Sequence, residues 1–192
     1  MNKTRLAWHF VGNTLRGGRP VPKDGEWLTH VGRLLMCKAG LHASMNPLDA
    51  LTYAPNGILC RVRLGGQIIE DADKMVARRR RIVWRIDAKP VLKAFARWCA
   101  LQVVAVWNAP DVVVRYLRTG DESIMDAARA AAWAAAWDAA WTAAGAAARA
   151  AAYARAAAWT AARDAQNKQL YKMVMEARKG KTSWVFEEQA NA

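Results

Sequence analysis

The sequence predicts an α+β protein: a small mixed α/β N-terminal domain followed by alanine- and tryptophan-rich helices. Three observations predict it. Up to residue 88, short apolar runs of strand period alternate with turns containing Gly and Pro. At Lys89 the period changes to that of a helix. Between Ala127 and Ala162 about two-thirds of the residues are alanine, punctuated by Trp133, Trp137, Trp141, Tyr153 and Trp159. The expected organisation is a basic α/β domain over 1–88, connecting helices over 89–120, an Ala/Trp-rich helical region over 121–179 and a tail over 180–192.

Within the first part, Leu6 to Val11 reads as a strand, and Arg16-Gly17-Gly18-Arg19-Pro20 as a turn. Trp27 to Met36 supplies one or two strands around Val31-Gly32. Asn46-Pro47 starts a short helix, with Asn as cap and Pro at the first helical position, and Pro55-Asn56-Gly57 stops it after Tyr53. Ile58 to Leu64 alternates, with Arg61 and Arg63 pointing one way, and Gly65-Gly66 ends that strand. Gln67 to Ile69 and Arg81 to Ile86 are further strands. Glu70-Asp71-Ala72-Asp73 reads as an acidic turn that offsets the arginines after it, the alternative being a metal-binding or catalytic acidic group.

From Lys89 the stripe Leu92, Phe95, Ala96, Cys99, Val103, Val106 and Trp107 marks a helix, begun by Asp87 or Lys89 and ended at Asn108-Ala109-Pro110. Asp111 caps the next, which Thr119-Gly120 closes. Asp121-Glu122-Ser123 places acids at another helix start. Unbroken helix from there to Lys179 would run roughly 90 Å at about 1.5 Å per residue, too long for a compact domain. Breaks are expected at Gly145 or in the polar run 163–168. Alanine favours helix but buries little area, so the aromatic rings supply the contact. Trp133, Trp137, Trp141 and Trp159 form one stripe. It serves as packing between helices and subunits, or else as an exposed stripe that grips a partner or stacks bases. After Gly180, Trp184-Val185-Phe186 is a segment able to dock as a strand.

Formal net charge is +13. Residues 1–120 hold 20 Lys+Arg against 8 Asp+Glu, and residues 121–192 hold 9 against 8, so the excess is N-terminal. That asymmetry points to an anionic partner. The three cysteines, Cys37, Cys60 and Cys99, show no paired spacing and predict reduced thiols in a cytoplasmic setting. Cys37 and His42 lack a second ligand pair at zinc spacing, so no metal is expected, and no cofactor. Met1 to Phe10 lacks the apolar segment of a secretion signal, and charges interrupt the alanine tract, so no membrane span is expected.

The run Arg78-Arg79-Arg80-Arg81 is the clearest electrostatic motif. Guanidinium forks match phosphate geometry. As a strand, Arg79, Arg81, Val83 and Arg85 would share one face, with Arg61 and Arg63 beside them, giving a basic sheet face for a phosphate or a nucleic acid. The alternative is a solvated turn or a charge-protected edge. No Ser/His/Asp or Cys/His set stands out by spacing, and the Gly pairs form no phosphate loop.

The segments Gly40-Leu41-His42-Ala43-Ser44, Asn46-Pro47-Leu48-Asp49-Ala50-Leu51-Thr52-Tyr53 and Leu59-Cys60-Arg61-Val62 resemble an uncharacterised bacteriophage and prophage domain, often followed by alanine-rich repeats with Trp, Arg and Asp. The resemblance covers most of residues 6–165. It implies a viral accessory protein, many of which blunt host defences. The order of elements from Leu6-Ala7-Trp8-His9 to Ile58–Gly66 is also similar to that of ADP-ribosyltransferases. That likeness implies that His9 matches the strand histidine of an NAD pocket. His42 stands where a Tyr would be, and the catalytic Glu position falls near Arg80 or Arg81.

The expected function is therefore a non-enzymatic, phage-type counter-defence protein in the host cytoplasm. It would bind an anionic nucleotide-derived ligand through Arg78, Arg79, Arg80, Arg81, Arg61 and Arg63, with His9, His42 and Trp8 at base or ribose, and would form a homo-oligomer. The alternatives are a nucleic-acid binder, an inhibitor that grips a host defence protein through the Trp helices, and an ADP-ribosyltransferase-like enzyme.

Overall fold

The computed structural model describes residues 4–15, 18–102, 104, 109–142 and 151–187, with helical side chains described up to Ala135 and again from Ala162. The architecture is α+β, as the periods predict. The chain divides into two compact units, one of Met1–Lys89 with Leu170–Lys179, the other of Pro90–Gln169 with Gly180–Ala192. The expected helical region over 121–179 is thus divided at Gln169.

The first unit holds β1 (Arg5–Val11), β2 (Trp27–Thr29), β3 (Leu41–Ala43), helix α1 (Pro47–Leu51), β4 (Ile58–Glu70) and β5 (Met75–Asp87). The sheet is antiparallel with order β1-β4-β5-β2, and β3 also pairs with β5. It curls until Ser44, just past β3, bridges Trp8 in β1 through two backbone hydrogen bonds of 2.8 Å. Ala7, Val11, Ala43, Cys60, Val62, Leu64, Met75, Ala77 and Ile82 fill the inner face. At the other face, Leu170, Met173 and Val174 are buried, and Tyr171 meets the Trp8 ring edge-on at 5.8 Å.

Two features of β4 and β5 depart from the expected strands. Gly65-Gly66 does not end β4. Gly66 adopts φ +73° and the ladder shifts register between Gly65 and Ile68, so an extra residue is absorbed as a bulge and pairing resumes. A second shift follows Arg61, which pairs with Trp84, whereas Val62 pairs with Ile82. Val83 is the extra residue. It reverses the alternation, so Arg85 lies on the face of Cys60, opposite to Arg79 and Arg81. The single basic face expected for Arg79, Arg81, Val83 and Arg85 is therefore broken at Val83. Arg85 instead donates to Asp24 and to the Pro22 carbonyl.

Other boundaries also differ. Only Trp27–Thr29 of the 27–36 segment is strand, since Gly32 at φ +105° turns the chain away. Asn46 occupies the cap position of α1, but its Nδ2 donates to Asp49 Oδ2 at 2.9 Å instead of capping the backbone. The acidic turn does join β4 to β5, closed by Asp71 N–H donating to the Lys74 carbonyl. Its charges go elsewhere than expected: Glu70 pairs with Arg5 at 2.5 Å, and Asp73 accepts from Tyr53.

The second unit contains most of α2 (Lys89–Leu101), then α3 (Asp111–Thr119), α4 (Met125–Thr142) and the first part of α5 (Ala151–Arg178). Asp111 is the first helical residue of α3, not its cap. Gly120 closes that helix at φ +70°, its N–H donating to the Tyr116 carbonyl. The polar run 163–168 lies inside α5 without a break, because Arg, Ala, Gln and Lys are good helix formers. Gly145 lies outside the described residues. The tail docks without forming a strand: Phe186 N–H donates to the Arg118 carbonyl at 3.0 Å, and Arg97 donates to the Trp184 carbonyl at 2.9 Å.

Candidate functional site

Two adjoining cavities open in the first unit, of about 260 and 470 Å³, and share His9, His42 and Tyr53 in their walls. Their positions follow from the sheet. His9 points to the inner face opposite Cys60, and Arg80 opposite Leu64. His42 sits at the centre of β3 and Tyr53 just beyond α1. Gly40 lets β3 approach, because at φ +122° a Cβ there would lie 2.3 Å from Val76 Cγ2.

Arg80 is only 6 % exposed, and its Nη1 donates to the His42 carbonyl. Burial pulls its pKa down to about 10, with Cys60 acting the other way and no carboxylate contributing. His9 lies well below the ordinary histidine range through burial first, then through Arg80 and His42. It is therefore neutral near pH 7. Cys37 holds a left-handed φ of +62° and its N–H donates to His42 Nε2 at 3.0 Å. That contact makes Nε2 an acceptor and puts the proton of a neutral ring on Nδ1.

At the rim, Tyr53 donates to Asp73 at 2.5 Å and accepts from Lys74 at 3.2 Å. Lys74 is held above its ordinary range, by the Tyr53 hydroxyl first and Cys37 next. Arg19 and Lys38 line the larger cavity on the side of Arg80. None of the described residues lining either cavity is Asp or Glu. A site of this kind can neutralise a small anion and offer it ring and hydroxyl donors.

The arginine run is divided. Arg80 alone enters the cleft. Arg78 ties β5 to the loop after β2 through the His30 and Gly32 carbonyls and to Gln67 Oε1. Arg79 and Arg81 lie over the Trp27 ring on the other face, their Cζ atoms 4.6 and 5.0 Å from its centroid. Arg63 stands opposite Arg81. Arg61 lies 4.4 Å over the Trp8 ring, and its pKa is lowered by burial. Trp8 contributes to the cavity wall, but it is 1 % exposed and its indole packs against Trp84 and Tyr171.

Trp133 is 74 % exposed on α4. The side chains of Trp137, Trp141 and Trp159 lie outside the described residues. Arg19, Lys38, Tyr53, Cys37 and Lys74 were not marked as site residues by any spacing. They meet only because β3 pairs with β5 and bridges β1.

The fold and the cleft together define a small antiparallel α+β domain with a basic concavity, whose described lining residues include no Asp or Glu. Residues 6–94 match a family described as a domain of unknown function, DUF7666. No curated protein and no solved structure matches the chain. Among the described residues no cluster of His, Cys, Asp and Glu has the grouping of a metal site, and no helix is long and apolar enough to cross a membrane.

Proposed function

We propose that this chain is a phage-type accessory protein whose N-terminal unit binds a small, phosphate-bearing, nucleotide-derived ligand, sequestering it from host defence signalling. The observation that carries the reading is Arg80: a guanidinium 6 % exposed, without a carboxylate acting on it, in the wall of a cavity of about 470 Å³. A buried cation lacking a countercharge is costly. A phosphate would supply that charge, with Arg19 and Lys38 beside it. The cavity size suits a small molecule better than a polymer. The viral and counter-defence parts of the reading rest on the resemblance of the 40–62 segment.

Transferase chemistry is disfavoured by the same residue, since a cation occupies the place where the likeness to ADP-ribosyltransferases calls for a carboxylate. The exposed Trp133 supports a second role for α4, in holding copies together or gripping a host protein. Trp133→Ala then shifts the elution volume of the pure protein toward that of a single chain.

The test is release of bound material. Protein made in cells with an active nucleotide-signalling defence, then heated, sheds nucleobase-absorbing material. Arg80→Gln, and separately the exposed pair Arg19→Gln/Lys38→Gln, weaken binding at least tenfold, about 1.5 kcal/mol or more for a lost charged hydrogen bond. A clean supernatant from wild-type protein, with no binding of ADP-ribose or cyclic dinucleotides by titration, overturns the reading.

A further inference from the structure

The opposite face of the sheet carries a second cationic surface, independent of the cleft. Arg63 and Arg81 are cross-strand neighbours on β4 and β5, and Arg79 lies two residues along, opposite Gly65. Trp27 and Thr29 continue the same face on β2, paired with Arg81 and Arg79. Gly65 leaves room for the indole, since a Cβ there would stand 3.2 Å from Trp27 Cη2. Arg79 is exposed, and Arg63, Arg81 and Trp27 are half-buried.

Among the described residues, none of these three arginines forms a salt bridge to a carboxylate. Arg79 and Arg81 instead stack on Trp27. Stacking uses the flat of a guanidinium and leaves its in-plane N–H donors available. It also holds both forks in place before any ligand arrives. The Nε of Arg63 is buried with no hydrogen-bond partner, a donor lacking its acceptor.

We propose that this face binds single-stranded nucleic acid, with Arg63, Arg79 and Arg81 on phosphates and a base lying on the outer guanidinium plane of the stack that Arg79 and Arg81 build on Trp27. Charge complementarity selects a polyanion. Donors repeat along β5 at about 7 Å, twice the strand rise, on an open face rather than in a concavity. A half-exposed aromatic among cations is the pattern that favours single strands over duplex. Phosphate and ring-face contacts ignore the sugar, so ribo- and deoxyribo-oligomers bind alike.

The experiment is fluorescence anisotropy of a labelled oligothymidylate of about 20 nucleotides, with oligouridylate and a duplex of equal length, between about 50 and 200 mM salt. Three neutralised phosphates predict a log–log salt slope near −2, a loss of roughly 20-fold across that range. Arg79→Gln/Arg81→Gln weakens binding at least tenfold and flattens the slope, with unchanged circular dichroism. Arg19→Gln/Lys38→Gln, in the cleft, leaves oligomer binding intact, so this face and the cleft fail or hold separately. Absent binding at low salt, tighter binding of the duplex, or an unaffected Arg79→Gln/Arg81→Gln protein each overturns the proposal.

Discussion

His9 is neutral because it is desolvated in the wall of the cleft, with Arg80 and then His42 adding to the effect. Its folded pKa lies below the unfolded value of about 6.5. Between the two values the unfolded chain carries the extra proton, so stability falls as pH drops below about 6.5 and is flat in this term above it. One proton gives a slope of up to about 1.4 kcal/mol per pH unit. Urea midpoints from neutral to mildly acidic pH therefore fall for wild type, and His9→Gln flattens that fall. Equal slopes in both proteins would reject the assignment. Gly40 makes a different kind of demand. At φ +122° and 2.3 Å from Val76, an added methyl is strained and overpacked. Gly40→Ala costs about 2–4 kcal/mol, whereas Gly18→Ala, at φ +77° in open space, costs about 1 kcal/mol. Chemical denaturation of the two variants measures the difference. The thiols separate as well. Cys60 is fully buried and pushed up to about 11 by that burial, whereas Cys37 is exposed. A thiol reagent modifies Cys37 in the native protein and reaches Cys60 only in denaturant; rapid native labelling of Cys60 would contradict the packing.

Strand alternation explains how one run of four arginines serves two surfaces. Residues of period two point to opposite faces, so Arg80 enters the cleft while Arg79 and Arg81 face the other way. That Arg79 and Arg81 share a face was legible in the spacing, as were β1, the first half of β4, the Gly120 stop and the alanine helices; that Arg80 serves a separate surface was not. The rest was not, for local reasons. A three-residue strand such as β3 has too few residues to show a period. A bulge at Val83 changes face without changing composition, so no count of residues reveals that Arg85 leaves its neighbours. Gly65-Gly66 carries the signal of a turn, and only the pairing across to Arg79 and Ala77 makes it a bend. The acidic turn sits beside the arginines in sequence, but the hairpin carries it to Tyr53 and Arg5. Deleting Val83 tests the element directly. It removes the bulge and leaves Trp84 opposite Arg61 and Arg85 opposite Cys60, with the bond to Asp24 retained. The loop over 22–26 then keeps its wild-type hydrogen-exchange rate, and a faster rate would contradict Val83 as the extra residue.

At the scale of the whole chain, the first unit is not contiguous. Leu170, Met173 and Val174 are at most 1 % exposed and belong with a sheet that begins at residue 5. A polypeptide ended after residue 94 keeps every strand but loses this cover, exposing the side of Trp8 that Tyr171 otherwise packs against. It is expected to unfold at lower denaturant than the full chain and to recover when a peptide of residues 165–181 is added. Leu170→Ala in the full chain costs about 2–5 kcal/mol, the range for a buried leucine. A 94-residue chain as stable as the whole would disprove the arrangement.

That discontinuity sets a timetable for synthesis. The ribosome makes all five strands, then more than seventy further residues, before the piece that completes them emerges. Maturation of the unit is thus deferred until the chain has grown past residue 179.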